Sequence, residues 1–599
     1  MERIAQHLAA VREHMAAMEL DAFIVPRADE YLGEYIPEHN ERMRWISDFT
    51  GSAGVVIVLK DRAAIFVDGR YTVQVRQQVS EELFEILHLV EDPNIPWLAK
   101  QLEQGAKVGY DPRMHLLAWQ KNTLKVLGKH GIELVELEQN PIDLSWEDRP
   151  VAEVHEAILL DEQYTGHSSP DKRKAIGKAI EDNGAEAALI FAADSVAWLL
   201  NIRGRDIPCL PLVLGFAILH SDGRMLFFTN PDKIPAGFAE HVGEGVEVHA
   251  EAEAPAAFVA LSGHTVLADP NTANAWCQLA LERAGAELVA DDDPVILPKA
   301  CKNETEVQGM RDSHIRDAVA EVHFLAWLDA EVAAGKLHTE AELSDKLYAF
   351  RAEQELFQDT SFDTISAAAG NAAMCHYNHM NAEKEAGLEM DSVYLVDSGG
   401  QYLDGTTDIT RTVAIGDPGD EVRRRFTLVL KGHIALDQAV FPEGTTGSQL
   451  DVLARQFLWQ EGLDYDHGTG HGVGAFLSVH EGPQRIAKVP NTYALKPGMV
   501  LSNEPGYYKD DCYGIRCENL VVVQESPASN SDGPGMLEFE AITMVPFDNR
   551  LVDTELLTDD ELDWLNDYHA EVREKISPHL DSDTLTWLEN ATQPIGVSA

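Results

Sequence analysis

The sequence predicts a mixed fold, α/β through its first half and α+β in its last part, arranged as three domains in series. Three observations carry this. The chain has 599 residues, more than a single hydrophobic core usually organises. Residues up to 301 alternate helix-like and strand-like segments. The stretch from 392 to 523 instead holds two strand–turn–strand patterns in succession. The domains expected are 1–148, 149–301 and 302–599. Apolar residues make up 45% of the chain, enough for well-formed cores.

In the first domain, Ala10 to Met18 has helical composition and Ala22 to Val25 reads as a strand. Val55 to Leu59 and Ala63 to Val67 are strands flanking a Lys-Asp-Arg turn. Asn140 to Pro150, proline-bearing and acidic, reads as a linker. In the second domain Lys172 to Ile180 is helical, Ala187 to Ala192 is a strand, and Phe216 to Phe228 is a hairpin turning at Asp222-Gly223. That order echoes the first domain and suggests an internal duplication. Arg27, Arg44 and Arg70 read as members of structural ion pairs. The third domain opens with Asn303 as a cap, Glu306 three residues on, and an apolar stripe of Ile315, Val319, Val322 and Leu325. Near the end, Asp559 to Ile576 is helical.

Five side chains in the third domain are suited to hold a pair of metal ions. Asp397 ends the β-rich run Ser392 to Val396, and Asp408 precedes a second such run, Ile409 to Val413, with a turn signal at Asp404-Gly405 between them. Glu504 follows the strand Met499 to Ser502, and Glu518 lies on the returning strand Gly514 to Val523. His471 sits in the glycine-rich HGTGHGVG, where glycine lets backbone approach a ligand closely. A lone acid in so acidic a chain is ordinarily a surface charge. The strand settings, the glycine flanks and the histidines single out these four. Oxygen-rich donors with one nitrogen suit Mn, Fe or Co better than a structural zinc. Four carboxylates balance two divalent ions, and a water held between such ions loses a proton near neutral pH. His376, His467 and His480 are candidate proton carriers near this cluster. His314, His323, His338 and His379 read as structural.

With 47 basic against 100 acidic residues the net charge is -53, which disfavours nucleic acid and anionic membranes as partners. The acidity is read as a solubility device, in a salty cytoplasm or habitat, rather than as recruitment of a basic partner. The six cysteines show no CxxC spacing, so neither a zinc ribbon nor a disulfide scaffold is expected, and free thiols fit a reducing cytosol. The N-terminal MERIAQHLAAVREHM has no apolar core of a signal peptide, and no run approaches a membrane span. A cytoplasmic location follows as the expectation.

The motifs VDSGGQYLDGTTDITRT, HGTGHGVGAFLSVHEGP and EPGYY…YGIRCENLVVV resemble the metal-binding blocks of aminopeptidase P, the Xaa-Pro aminopeptidases of the pita-bread metallopeptidases, in that family's order. The resemblance extends to FTGSAG, DGRY and WLLNIRG and on to LTDDELDWLNDYH, covering nearly the whole chain. It is to the long, three-domain form. It implies two creatinase N-terminal-like domains of shared fold before a pita-bread catalytic domain with a C-terminal extension. It implies that Asp397 chelates one metal, Asp408 and Glu518 bridge, and His471 and Glu504 hold the other. His376, His467, His480 and Glu504 would be the catalytic residues, the three histidines also binding substrate. Two divalent ions are implied, Mn2+ first, with Co2+, Zn2+ or Fe2+ as alternatives. Trp564 and Tyr568 would be packing residues at a dimer interface, and a homodimer is implied. Cys517 stands where an aliphatic residue is common, and a buried thiol packs as a small hydrophobe.

The activity implied is removal of the first residue from peptides with proline in the second position, by a hydroxide bridging two metals. Its rivals are prolidase, which cleaves dipeptides, and methionine aminopeptidase, which the long N-terminal half disfavours. A creatinase-like metal-independent enzyme or an inactive pita-bread peptide-binding module would lack the ligand set found here.

Overall fold

The apolar runs of the first domain fold as one six-stranded sheet. Its strands are β1 (Ala22–Pro26), β2 (Val55–Leu59), β3 (Ala63–Val67), β4 (Phe84–His88), β5 (Lys107–Tyr110) and β6 (Glu133–Glu136), in spatial order β4-β3-β2-β1-β5-β6. The central strands are apolar on both faces because helices cover both. One of these is Glu2–Ala17, whose Ile4, Leu8, Val11 and Met15 form a buried stripe at helical spacing. The second domain repeats the plan with β7 (Ala187–Ile190), β8 (Phe216–His220), β9 (Met225–Phe228), β10 (Val246–His249), β11 (Thr265–Ala268) and β12 (Glu287–Ala290). Their order is β10-β9-β8-β7-β11-β12. In both sheets the first strand pairs antiparallel with the second and parallel with the fifth. The third pairs parallel with the fourth in each. The duplication suggested by element order is thus present strand for strand in the topology.

The computed structural model describes residues 2–72, 74–382, 386–529 and 533–596. Both six-stranded sheets lie in one compact unit, Met1–Leu159 with His167–Pro208 and Leu212–Val295. The second unit is Ile296–Ala599 together with two short segments from the middle of the chain, Leu160–Gly166 and Cys209–Pro211.

The second unit begins on the expected helix, Glu304–Ala333, with Asn303 and Glu306 forming a reciprocal capping box. Val319, Val322 and Leu325 are buried in the largest apolar cluster, with Ile315 packed against it. The strands that follow are β13 (Phe357–Thr360), β14 (Ile365–Ala368), β15 (Ser392–Ser398), β16 (Gly400–Tyr402), β17 (Gly405–Thr406) and β18 (Ile409–Ile415). After them come β19 (Phe441–Pro442), β20 (Gly470–Gly472), β21 (Glu481–Ile486), β22 (Val500–Asn503), β23 (Gly506–Lys509), β24 (Tyr513–Arg516), β25 (Asn519–Glu525) and β26 (Met536–Ala541). They form a six-stranded sheet β19-β26-β25-β22-β20-β21, three-stranded sheets β14-β15-β18 and β13-β16-β17, and the hairpin β23-β24. The C-terminal helix Asp559–Ile576 lies where expected, with Trp564 and Tyr568 stacked at 5.3 Å beside Phe547 and the Tyr568 hydroxyl donating to the Val545 carbonyl.

Two expectations need correction. Asn140 to Pro150 is no linker at its start. Asn140 caps a short helix, Pro141–Ser145, and Ile142 is buried with Ile4 and Leu8. Proline at the first helical position starts this helix rather than breaking the chain. The exposed irregular stretch is 151–156. The returning strand Gly514 to Val523 is also not continuous. It divides into β24 and β25 at Cys517-Glu518, where the Cys517 N–H donates to the Pro505 carbonyl and the Glu518 N–H to the Thr410 carbonyl. Changing partners at that point turns the Glu518 side chain into the site described next.

Candidate metal centre

Asp397 lies on β15 opposite Thr410 of β18, and Asp408 is the residue just before β18. The expected hairpin therefore forms, with the small hairpin β16–β17 inserted at its end. Gly399 is required at that insertion, because a Cβ there would lie 2.0 Å from the Thr407 carbonyl oxygen. Glu504 follows β22, and its N–H donates to the Thr469 carbonyl. Asn503 of β22 pairs with Asn519 of β25, so Glu504 and Glu518 leave neighbouring strand ends together. Thr410 joins the two hairpins, its hydroxyl donating to Glu518 Oε2 at 2.6 Å.

His471 occupies β20 between these pairs. Its Nδ1 donates to the Gly472 carbonyl at 2.9 Å, which turns Nε2 towards Asp408 and Glu504. Nε2 stands 3.4 Å from Asp408 Oδ2 and 3.5 Å from Glu504 Oε1. Asp408, His471 and Glu518 offer donor atoms all within 4.8 Å of one another. Donors held about 2.1 Å from a shared ion lie roughly 3–3.5 Å apart, so this spacing suits coordination better than hydrogen bonding.

The electrostatics agree with that fit. Burial, reinforced by Asp408, Glu504 and Asp397, holds Glu518 well above the usual carboxylate range. Burial also raises Asp397 although Arg516 opposes it, and raises Glu504 against His471 and Arg516. For His471 burial works against the cation, yet the Asp408 bond and the charges of Glu504 and Asp408 outweigh it and lift the imidazole to about 9. One Asp397 oxygen, Oδ1, is buried without a hydrogen-bond partner. Four carboxylates, three of them buried and Glu504 half-buried, face one imidazole and one guanidinium, so they carry excess negative charge and an idle oxygen, which divalent cations offset and use.

The three remaining histidines surround the cluster. His467 is half-buried, and its Nδ1 donates to the Gly468 carbonyl, so Nε2 accepts from the Tyr508 hydroxyl at 2.8 Å. Burial first, then Arg516, push it down to about 3, and it is a neutral imidazole at pH 7. His376 is exposed and its charge is felt at His467. His480 is exposed, with its ring 4.3 Å from that of His471. His314 and His338 make the local bonds expected of structural residues, to the Met310 carbonyl and to Glu331. Arg27 and Arg70 pair with Glu41 and Asp68, while Arg44 is exposed.

Arg516 and Tyr508 were not singled out from sequence. Arg516 donates to Asp397 Oδ2 at 2.5 Å, to the Thr410 hydroxyl at 3.0 Å and to the Tyr508 hydroxyl at 2.6 Å. It ties Asp397 to Tyr508 and through it to His467. Its signal was its place two residues before Glu518, on an alternating strand pattern. Arg516→Lys removes the fork that makes these three bonds. The expected result is a 10- to 100-fold loss of kcat/KM, about the effect of losing an outer-shell partner, with folding retained.

Comparisons with known proteins agree with this architecture. Residues 308–525 match metallopeptidase family M24, and 535–595 match the C-terminal region of that peptidase family. Residues 7–142 and 148–306 each match a creatinase/prolidase N-terminal domain. The chain is 40% identical to aminopeptidase P2 of Arabidopsis thaliana over 615 residues, covering 96% of this chain and 86% of the relative. It is 41% identical to a probable Xaa-Pro aminopeptidase P of Tuber melanosporum over 623 residues, covering 98% of each. Among solved structures, X-prolyl aminopeptidase of Caenorhabditis elegans, described as a cytosolic enzyme with a di-nuclear active site, superimposes with a TM-score of 0.93 at 35% identity, covering 99% of this chain and 100% of that one. The expected order of two creatinase N-terminal domains and a pita-bread domain is borne out, and the chain belongs to metallopeptidase family M24, among its aminopeptidase P members.

Proposed function

We propose that Asp397, Asp408, His471, Glu504 and Glu518 hold the two divalent ions of this enzyme, and that His376, His467 and His480 face its substrate. The enzyme is a metal-dependent Xaa-Pro aminopeptidase. It removes the N-terminal residue from peptides whose second residue is proline. The observation that carries the site is the convergence of the Asp408, Glu504 and Glu518 carboxylates on His471, with Asp397 held beside them by Arg516.

When bound, the ions supply Lewis acidity, which polarises the scissile carbonyl and makes a water nucleophilic near neutral pH. The chain's own groups do the rest. Asp397, fixed by Arg516, would receive the substrate's free α-amine, which would favour unblocked termini. An Xaa-Pro bond is a tertiary amide without N–H, so no acceptor for that hydrogen is needed. His376 and His480, both exposed, stabilise the carbonyl oxygen or the departing group. Neutral His467 keeps its position through Tyr508. Glu504 carries the proton to the proline nitrogen.

The donor set suits Mn2+, Fe2+ or Co2+, and the family resemblance puts Mn2+ first, with Co2+, Zn2+ and Fe2+ as alternatives. We take the working form to be a cytoplasmic homodimer. The six cysteines are free, and among the described residues no helix is long and apolar enough to cross a membrane. The function is checked by mass spectrometry of products from one mixture of an Xaa-Pro-Pro tripeptide, an Xaa-Pro dipeptide and a Met-Ala-Ser peptide with Mn(II). Release of the first residue from the tripeptide, lost on adding chelator, is expected. Cleavage of the dipeptide alone would make the enzyme a prolidase.

A further inference from the structure

We propose that Lys299, Lys302 and Glu481 form a buried clamp that positions His480 beside the metal centre. This rests on the reading of His480 as a substrate-facing residue. Lys302 Nζ donates to Glu481 Oε1 at 2.6 Å and Lys299 Nζ to Oε2 at 3.1 Å. The side chains are 1%, 2% and 0% exposed for Lys302, Lys299 and Glu481. Three charged side chains are thus withdrawn from water, both Glu481 oxygens accepting from an ammonium group. Burying charge this way is a poor route to stability, so a geometric role is the better account of it.

The clamp acts at a defined place. Glu481 is the residue after His480 and the first of β21. It pairs with Gly472, across a bulge that lies between His471 and Gly472. The Gly472 carbonyl is also the acceptor that orients His471. Pulling Glu481 towards the two lysines therefore fixes the strand edge that carries both imidazoles. The other end of the His480 loop is held as well. Buried Gln401 donates to the Leu477 carbonyl at 2.9 Å and accepts from the Thr406 hydroxyl at 2.7 Å. An exposed histidine between two buried polar anchors is a preorganised group, and such placement is what substrate-positioning shells provide.

The test compares Lys302→Met, His480→Ala and the double variant, using the holoenzyme, an Xaa-Pro-Pro tripeptide and metal analysis. Lys302→Met keeps the Lys299 bond to Glu481, so folding and two bound metals should survive. We expect it to lower kcat/KM about 10- to 100-fold, His480→Ala to lower it at least as far, and the double variant to be no worse than His480→Ala. Lys302→Arg should restore part of the loss. Full activity of Lys302→Met, or losses that multiply in the double variant, would overturn the clamp while leaving the role of His480 intact. Full activity of His480→Ala would overturn that role itself. Should Lys302→Met not fold, Lys299→Met makes the same comparison.

Discussion

Asp408→Ala is expected to abolish paired metal binding and to lower kcat/KM about 10⁴-fold, because a metal ion supplies several kcal/mol of transition-state stabilisation at 1.36 kcal/mol per tenfold in rate. The Asp408 carboxylate is 3.4 Å from His471 Nε2 and groups with Glu518. Metal analysis of the dialysed protein should show fewer than two ions per chain. The stability change has the opposite sign. Asp408 raises Asp397, Glu504 and Glu518 by repulsion, so its loss relieves three carboxylates of the metal-free cluster and costs His471 one of its two acid partners, the relief being the larger effect expected. Chelator-treated Asp408→Ala should therefore melt above chelator-treated wild type, while with metal present the order should reverse. A variant that kept two ions and full activity would remove Asp408 from the site.

Arg351→Met is expected to destabilise the second unit by about 3–5 kcal/mol, the usual result of breaking a buried ion pair from one side. Arg351 is fully buried on the helix Glu340–Ala352 and donates to Asp317 Oδ1 at 2.8 Å and Glu321 Oε1 at 2.6 Å, one turn apart on the helix Glu304–Ala333. The same carboxylates accept from the Tyr402 hydroxyl and from the Ser398 hydroxyl, and Ser398 adjoins Asp397. Losing Arg351 leaves two buried acids without their cation and loosens the strand that presents Asp397, a proposed metal ligand. Urea unfolding should show the loss, and metal affinity should fall with it. Asp317 gives a pH signature. Burial alone would raise it, but Arg351 and Tyr402 hold it below the usual carboxylate range. A depressed carboxylate stabilises the fold above its unfolded pKa and loses that contribution as pH falls through the folded value. In the variant this acid-dependent part should vanish. An unfolding free energy within 1 kcal/mol of wild type would contradict the account.

The parts of this molecule that are local in sequence were legible there. The capping box at Asn303, the strands β2 and β3, the hairpin at Asp222-Gly223 and the helix Asp559–Ile576 all follow from neighbouring residues. The four carboxylates stood out because they fall in two strand–turn–strand patterns, with turn residues at Gly399-Gly400, Asp404-Gly405 and Pro505-Gly506 and a histidine-bearing glycine-rich segment between them. What escaped was non-local. Arg351 carries no mark in its own segment that it will bind Asp317 and Glu321, and the place of Arg516 two residues before Glu518 does not say that its partner is Asp397 on the other hairpin. Asn140-Pro141 was misread because proline both ends and begins helices, and only the burial of Ile142 decides which. The break at Cys517-Glu518 was hidden because both halves look like strand, and the partner that divides them, Thr410, belongs to the other hairpin.

Thr410 and Glu518, joined by a hydrogen bond, are 108 positions apart in the chain. A ribosome adding about 5–20 residues per second needs roughly 5–20 s to pass from one to the other. During that interval the nascent polypeptide displays Asp397 and Asp408 but neither Glu518 nor Arg516. The proposed ligand set is therefore incomplete until Glu518 has been made. A peptidase assembled in this order has no working centre during that interval.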